Sequence, residues 1–262
     1  MSAWARSLVA ALACLCAACG NRTAPAPQHL SIAAAADLRF ALDQVTSAFR
    51  RANPQIDVAV AYGSSGNFYS QLRNKAPFDV YLSADVEYPR KLAAEGLTAP
   101  QSEFVYGVGR IVLWVQNQSP LDVAKLQMHA LEAPSVRHIA IANPQHAPYG
   151  RAAEAAMRSL GVYDAVQSKL VLGEDIAQTL QFVQSGAADA GIVALSLVLA
   201  PPLHSQGRYW EIPLDAYPTI EQGGAIMAAA KDKKFAWDFR AYLMGAEGRR
   251  ILKQYGFYLP GR

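Results

Sequence analysis

Cysteine is confined to the start of the chain: Cys14, Cys16 and Cys19 are the only ones in 262 residues. Past Cys19, therefore, the chain can form no internal disulfide and no thiolate metal site. Histidine is scarce too. His29, His129, His138, His146 and His204 show no metal-ligand spacing, so a cation binder built on imidazole is not indicated. No nucleotide-binding motif occurs, so ATP chemistry coupled to this chain must belong to another protein. The formal net charge is only +3, with Lys and Arg interspersed among Asp and Glu. That excludes the clustered basic face of a nucleic-acid binder.

What is present suits a globular protein. Hydrophobic residues make up 52% of the chain and charged residues 17%, enough apolar content to build real cores. The length is generous for one compact domain and comfortable for two lobes of roughly 100 residues each.

The first residues read as an export signal. Arg6 is followed by an apolar run from Leu8 to Ala18, too short for a permanent bilayer span. Cys16-Ala17-Ala18-Cys19-Gly20 resembles a bacterial lipoprotein cleavage site with Cys19 as the lipidated residue, although Cys16 stands where the usual pattern has Leu. The plainer alternative is a secretory signal cut near Ala18. Residues 1–19 are thus assigned to the signal and 20–29, rich in Pro and small polar residues, to a linker.

From Leu30 onward strand and helix patterns alternate. Leu38, Leu42, Val45 and Phe49 fall on one face of a helix that Asn53-Pro54 ends. Strands are expected at Leu30–Ala36, Ile56–Tyr62 and Phe78–Leu82, with Asp85 capping a further helix. This βαβαβ rhythm predicts a mostly parallel sheet covered by helices. Phe104–Val115 reads as a strand leaving the first lobe for the second. A second series follows: strands at His138–Ala142, Leu170–Leu172 and Gly191–Ala194, and helices at Arg151–Leu160 and Ile176–Gln184. The chain is expected to cross back within Pro213–Gly224, and two terminal helices rejoin the first lobe. The expected division is lobe 1 at 30–107 and 218–262, and lobe 2 at 108–217.

Ligands of such sheets bind where strands end and helices begin. Four junctions stand out: Ala36-Asp37, Ser64-Ser65-Gly66, Pro148-Tyr149-Gly150 and Glu174-Asp175-Ile176. Helix N-termini carry free N–H groups and partial positive charge. Two from each lobe, converging on a cleft, would surround a small anion with neutral donors. Serine hydroxyls add donors without a counter-charge. Each junction alone also reads as an ordinary cap or turn; it is their combination that points to a site.

At these residues the chain resembles the periplasmic molybdate-binding proteins of ABC transporters. The matching stretches are Ala33-Ala34-Ala35-Ala36-Asp37-Leu38, Gly63-Ser64-Ser65-Gly66, Ala76-Pro77-Phe78-Asp79-Val80, Leu82-Ser83-Ala84-Asp85, Ala142-Asn143-Pro144-Gln145-His146-Ala147-Pro148-Tyr149-Gly150, Gly186-Ala187-Ala188-Asp189, Gly191-Ile192-Val193-Ala194 and Tyr255-Gly256-Phe257. The resemblance implies a two-lobed periplasmic-binding-protein (type II) α/β fold, with mixed, mostly parallel sheets flanked by helices and a cleft between the lobes. It implies no cofactor and no enzyme activity. The implied ligand is molybdate or tungstate, held by Ala36, Asp37, Ser64, Ser65, Tyr149 and Ile176. The implied partners are an inner-membrane permease and a separate cytoplasmic ATPase, with a monomer expected in the periplasm, tethered if Cys19 is lipidated. A tyrosine that many relatives carry after the Gly-Ile-Val strand is replaced by Ala194, and Tyr149 is a candidate to supply a hydroxyl instead.

Asp37 departs from the pattern. A charged carboxylate beside a desolvated dianion costs several kcal/mol. It can cap its helix and point away, share a proton with the ligand, or signal a different ligand; the first is the expectation here. A same-fold binder of another oxyanion or small organic anion therefore stays open. A serine hydrolase is the alternative of another class. It would need Ser65 paired with His146, and Gly63-Ser64-Ser65-Gly66 lacks the nucleophile-elbow pattern.

Overall fold

The structure is a computed structural model describing residues 28–259. The expected signal and Cys19 lie outside these residues. Two five-stranded sheets organise the chain. The first has the order β2-β1-β3-β10-β4, from β1 (Gln28–Ala35), β2 (Ile56–Gly63), β3 (Val80–Ser83), β4 (Phe104–Gly109) and β10 (Ile220–Ile226). The second has the order β7-β6-β8-β5-β9, from β5 (Ile111–Gln116), β6 (Ile139–Ala142), β7 (Leu170–Gly173), β8 (Ala190–Ala194) and β9 (Gly207–Glu211). β1 pairs in parallel with β2 and β3, and β6 in parallel with β7 and β8. β10 and β5 run antiparallel to their neighbours, so both sheets are mixed.

The helices that matter for the site are α1 (Arg39–Ala52), α2 (Ser65–Arg73), α3 (Glu87–Ala94), α4 (Pro148–Ser159) and α5 (Ile176–Gln184). The stripe predicted on α1 is buried throughout: Leu38, Leu42 and Val45 are fully enclosed and Phe49 is 1% exposed. Burying each such side chain contributes about 1.5–3 kcal/mol. The terminal helices α6 (Lys233–Met244) and α7 (Ala246–Gln254) pack on α1, and the Phe49 and Phe239 rings meet edge to face at 5.4 Å.

The strand expected over Phe104–Val115 is two strands. It breaks at Arg110, where the chain leaves one sheet for the other. β1 begins at Gln28, so the last residues of the expected linker are already strand. The return passage runs from β9 through the turn Leu214–Ala216 into β10. Tyr258 bridges back to Val108 with backbone bonds of 2.7 and 3.1 Å, closing the C-terminal segment on the outgoing strand.

Two aspartates of the matching stretches are structural. Buried Asp79 accepts from the Ser31 N–H at 2.7 Å and the Lys231 N–H at 2.9 Å. Asp189 accepts the N–H groups of Arg137 and His138 at 2.8 and 2.9 Å. Each ties a loop to the start of a parallel strand, so neither is available for chemistry.

Candidate functional site

The strand ends and helix starts of both sheets meet at one small cavity. Its walls are Ala35, Ala36, Asp37, Gly63, Ser64, Ser65 and Ala84 from the first sheet's side, and Ala147, Pro148, Tyr149, Asp175 and Ile176 from the second. All six predicted residues line it: Ala36, Asp37, Ser64, Ser65, Tyr149 and Ile176. The space is about 210 Å³ including its mouth. Among the described residues no Lys or Arg lines it.

Following each backbone donor shows what is left to bind a ligand. In α2, Ser64 caps the helix and accepts the Asn67 N–H at 3.4 Å. The Gly66 N–H donates across the cleft to the His146 carbonyl at 2.9 Å. The Ser65 N–H remains. The Ser65 hydroxyl oxygen accepts the Ala84 N–H at 2.9 Å, which leaves its proton to donate elsewhere. In α4, Pro148 has no N–H, and the N–H groups of Gly150 and Arg151 go to Ala147 O at 3.0 and 3.2 Å. The Tyr149 N–H remains. In α5, Asp175 caps the helix by accepting from Ala177 and Gln178 at 2.8 and 2.9 Å. The Ile176 N–H remains. First-turn amides have no intrahelical acceptor and sit at the positive end of the helix dipole. The cavity is therefore walled by neutral donors, the arrangement that suits an anion.

Gly150 shows how closely α4 must seat. A Cβ there would lie 2.0 Å from the Ala142 carbonyl oxygen, so only glycine lets this N-terminus approach β6.

Asp37 does not cap its helix, contrary to expectation. Its carboxylate is 1% exposed and turned inward, with Oδ2 accepting from the Tyr149 hydroxyl at 2.8 Å and from Gln222 Nε2 at 2.6 Å. Among the described residues its Oδ1 has no hydrogen-bond partner, and neither has Gln222 Oε1. Burial raises the Asp37 pKa from 3.8 to about 6, against the opposing effect of the bonds from Gln222 and Tyr149. Tyr149 is pushed well above its ordinary value, first by burial and then by the Asp37 charge, so the phenol stays protonated and donates. Its hydroxyl is thus committed to Asp37 rather than held out for a ligand.

The cleft is closed. Besides the Gly66–His146 bond, Arg151 pairs with Asp85 at 2.6 Å and the Asn67 amide donates to the Glu174 carboxylate. Ser196 donates to the Asp37 carbonyl at 2.8 Å. His146 donates from Nε2 to the Glu174 carbonyl at 3.1 Å. The base a hydrolase would need is therefore engaged with Glu174, while the Ser65 oxygen is held by the Ala84 N–H.

Sequence reasoning missed Gln222, Ser196 and Ala84. Gln222 carried a faint signal: it shares strand parity with Ile220 in β10, an inward position where a polar side chain needs a partner.

The chain is 38% identical over 252 residues to the molybdate-binding protein ModA of Azotobacter vinelandii, covering 96% of this chain and 97% of the relative. It is 37% identical over 200 residues to ModA of Rhodobacter capsulatus, covering 76% and 77%. Its fold superposes on the solved periplasmic molybdate-binding protein of Azotobacter vinelandii with a TM-score of 0.83 and 33% identity, over 88% of this chain and all of that one. The family model for bacterial extracellular solute-binding proteins matches residues 30–258, and the chain belongs to that family.

Proposed function

We propose that this chain is the extracytoplasmic solute-binding component of an ABC importer and that it captures molybdate or tungstate. The observation that carries this reading is the cavity itself: small, walled by unspent N–H and O–H donors from both lobes, and free of lining cations. Relatives named for molybdate binding, similar along nearly the whole chain, support the choice of ligand. Ala36 and Asp37 contribute backbone, Ser64 and Ser65 hydroxyls, and Ser65, Tyr149 and Ile176 first-turn N–H groups.

Such a ring selects by size. Molybdate and tungstate have longer metal–oxygen bonds than sulfate, and backbone donors on seated helices adjust little. Binding begins on one lobe and closure adds the donors of the other, shifting a population the crossing strands already allow. We take residues 30–107 with 218–262 as one lobe and 108–217 as the other. The closed form then docks on an inner-membrane permease driven by a separate ATPase. Among the described residues no helix is long and apolar enough to cross a membrane. The protein works in the periplasm as a monomer, with lipidated Cys19 as its tether.

Isothermal titration calorimetry with molybdate, tungstate, sulfate and phosphate tests this. The expected result is one-to-one binding of molybdate or tungstate, with sulfate and phosphate at least roughly 100-fold weaker. Sulfate or phosphate binding more tightly makes the chain a same-fold carrier of that anion. No binding of any of the four overturns the oxyanion reading.

A further inference from the structure

We propose that Asp37, Tyr149 and Gln222 form a buried clasp that holds the cleft shut behind the anion, with the Tyr149 hydroxyl as its positioning group. The inference rests on the oxyanion reading for its ligand, though not for its geometry. Asp37 comes from the turn after β1, Tyr149 from the first turn of α4, and Gln222 from β10. Gln222 Nε2 donates to both Asp37 Oδ2 and the Tyr149 oxygen, at 2.6 and 2.9 Å, and the Tyr149 hydroxyl donates to Oδ2 at 2.8 Å. The three side chains close a triangle that is at most 2% exposed.

The triangle touches both strands that cross between the sheets. A Cβ at Gly109, the last residue of β4, would lie 2.2 Å from the Tyr149 hydroxyl oxygen and 2.7 Å from Gln222 Nε2. The outgoing strand thus passes directly against the clasp, and the returning strand supplies Gln222, where its pairing register shifts. Asp37–Gln222 lies within the first lobe. The Tyr149–Asp37 and Ser196–Asp37 bonds join opposite lobes, so opening the cleft must break them. Tyr149 also brings its backbone N–H to the cavity. Pinning the phenol therefore fixes the helix start that faces the anion, which couples hinge closure to ligand geometry.

The groups facing the Asp37 carboxyl are the phenols of Tyr149 from α4 and Tyr106 from β4, and the amide of Gln222. Tyr217 lies beyond Tyr149 and is bonded to the Ile111 N–H at 3.4 Å. Among the described residues, the Tyr149 hydroxyl is the only donor that reaches the carboxylate from the second lobe, and Tyr149→Phe removes it and leaves a further buried lone pair unsatisfied.

The test is release of radiolabelled molybdate in a chase, with small-angle X-ray scattering on the ligand-free protein. Tyr149→Phe should release molybdate roughly 30-fold faster or more, with little change in association. Asp37→Ala should also speed release, and the double variant should lose no more than Tyr149→Phe alone, because Tyr149→Phe already removes both bonds between the phenol and the first lobe. Asp37→Asn, which keeps an acceptor for the phenol, should recover most of what Asp37→Ala loses. Release at the wild-type rate from Tyr149→Phe, or additive losses, overturns the clasp. If the wild-type chain takes up no molybdate, the oxyanion reading fails and scattering decides alone: a more expanded Tyr149→Phe supports the clasp, and an unchanged radius of gyration overturns it.

Discussion

Gly66→Ala should weaken molybdate binding roughly 100-fold while the ligand-free protein melts almost where the wild type does. Gly66 is the second residue of α2, and a Cβ there would lie 2.6 Å from the His146 carbonyl oxygen and 3.0 Å from its Cα. Those atoms belong to the backbone of the opposite lobe, so no side-chain rotation relieves the overlap. The same glycine donates its N–H to that carbonyl at 2.9 Å. Closure in the variant carries an overlap and a strained hydrogen bond, together about 3 kcal/mol, or two decades of affinity. In the open form the methyl meets solvent, and alanine suits a helix better than glycine by about 1 kcal/mol. Calorimetry and a thermal melt on one preparation separate the two effects. Undiminished affinity would mean that the closed cleft is not the binding state.

Raising the pH from 4 to 7 should cost the wild-type protein up to ~3 kcal/mol that Asp37→Asn does not lose, since the Asp37 pKa of about 6 lies well above 3.8. A carboxyl whose folded-state pKa is raised holds its proton more tightly folded than unfolded. Its stabilising contribution is complete below pH 3.8 and is lost as the pH rises through about 6. Both donors converge on Oδ2, and Oδ1 has no partner. Below about pH 6 a neutral Asp37 also spares a bound dianion the repulsion of a nearby charge. Urea titrations at several pH values, comparing Asp37→Asn with wild type, read the difference directly. Parallel pH profiles for the two proteins would show that the carboxyl is already solvated and charged.

Much of the site was legible because it is built from local chemistry. Gly63-Ser64-Ser65-Gly66 and Pro148-Tyr149-Gly150 carry the caps and close approaches of their own turns, and the stripe from Leu38 to Phe49 announces the helix that follows β1. What was not legible depends on distant residues meeting. Gln222 and Ser196 reach Asp37 from 185 and 159 residues away, and no local pattern encodes such a contact. Without those partners the sequence favoured Asp37 as a helix cap, the common role of an aspartate at a strand–helix junction. The break at Arg110 hid inside a continuous apolar run, because both halves are buried strand. β9 escaped notice since it lies at the sheet edge, with no residue fully buried and only Trp210 packed partly against the core.

The account stands on the location of the anion, and anomalous diffraction from crystals grown with molybdate measures that directly. The predicted result is one molybdenum peak inside the cavity, within hydrogen-bonding reach of the Ser65 hydroxyl and the N–H groups of Ser65, Tyr149 and Ile176, with the Tyr149 phenol still turned to Asp37. A peak instead in the larger groove outside, where Arg90 and Arg151 lie beside Asp85 and Glu221, would contradict it, because charge rather than unspent backbone donors would then hold the ligand.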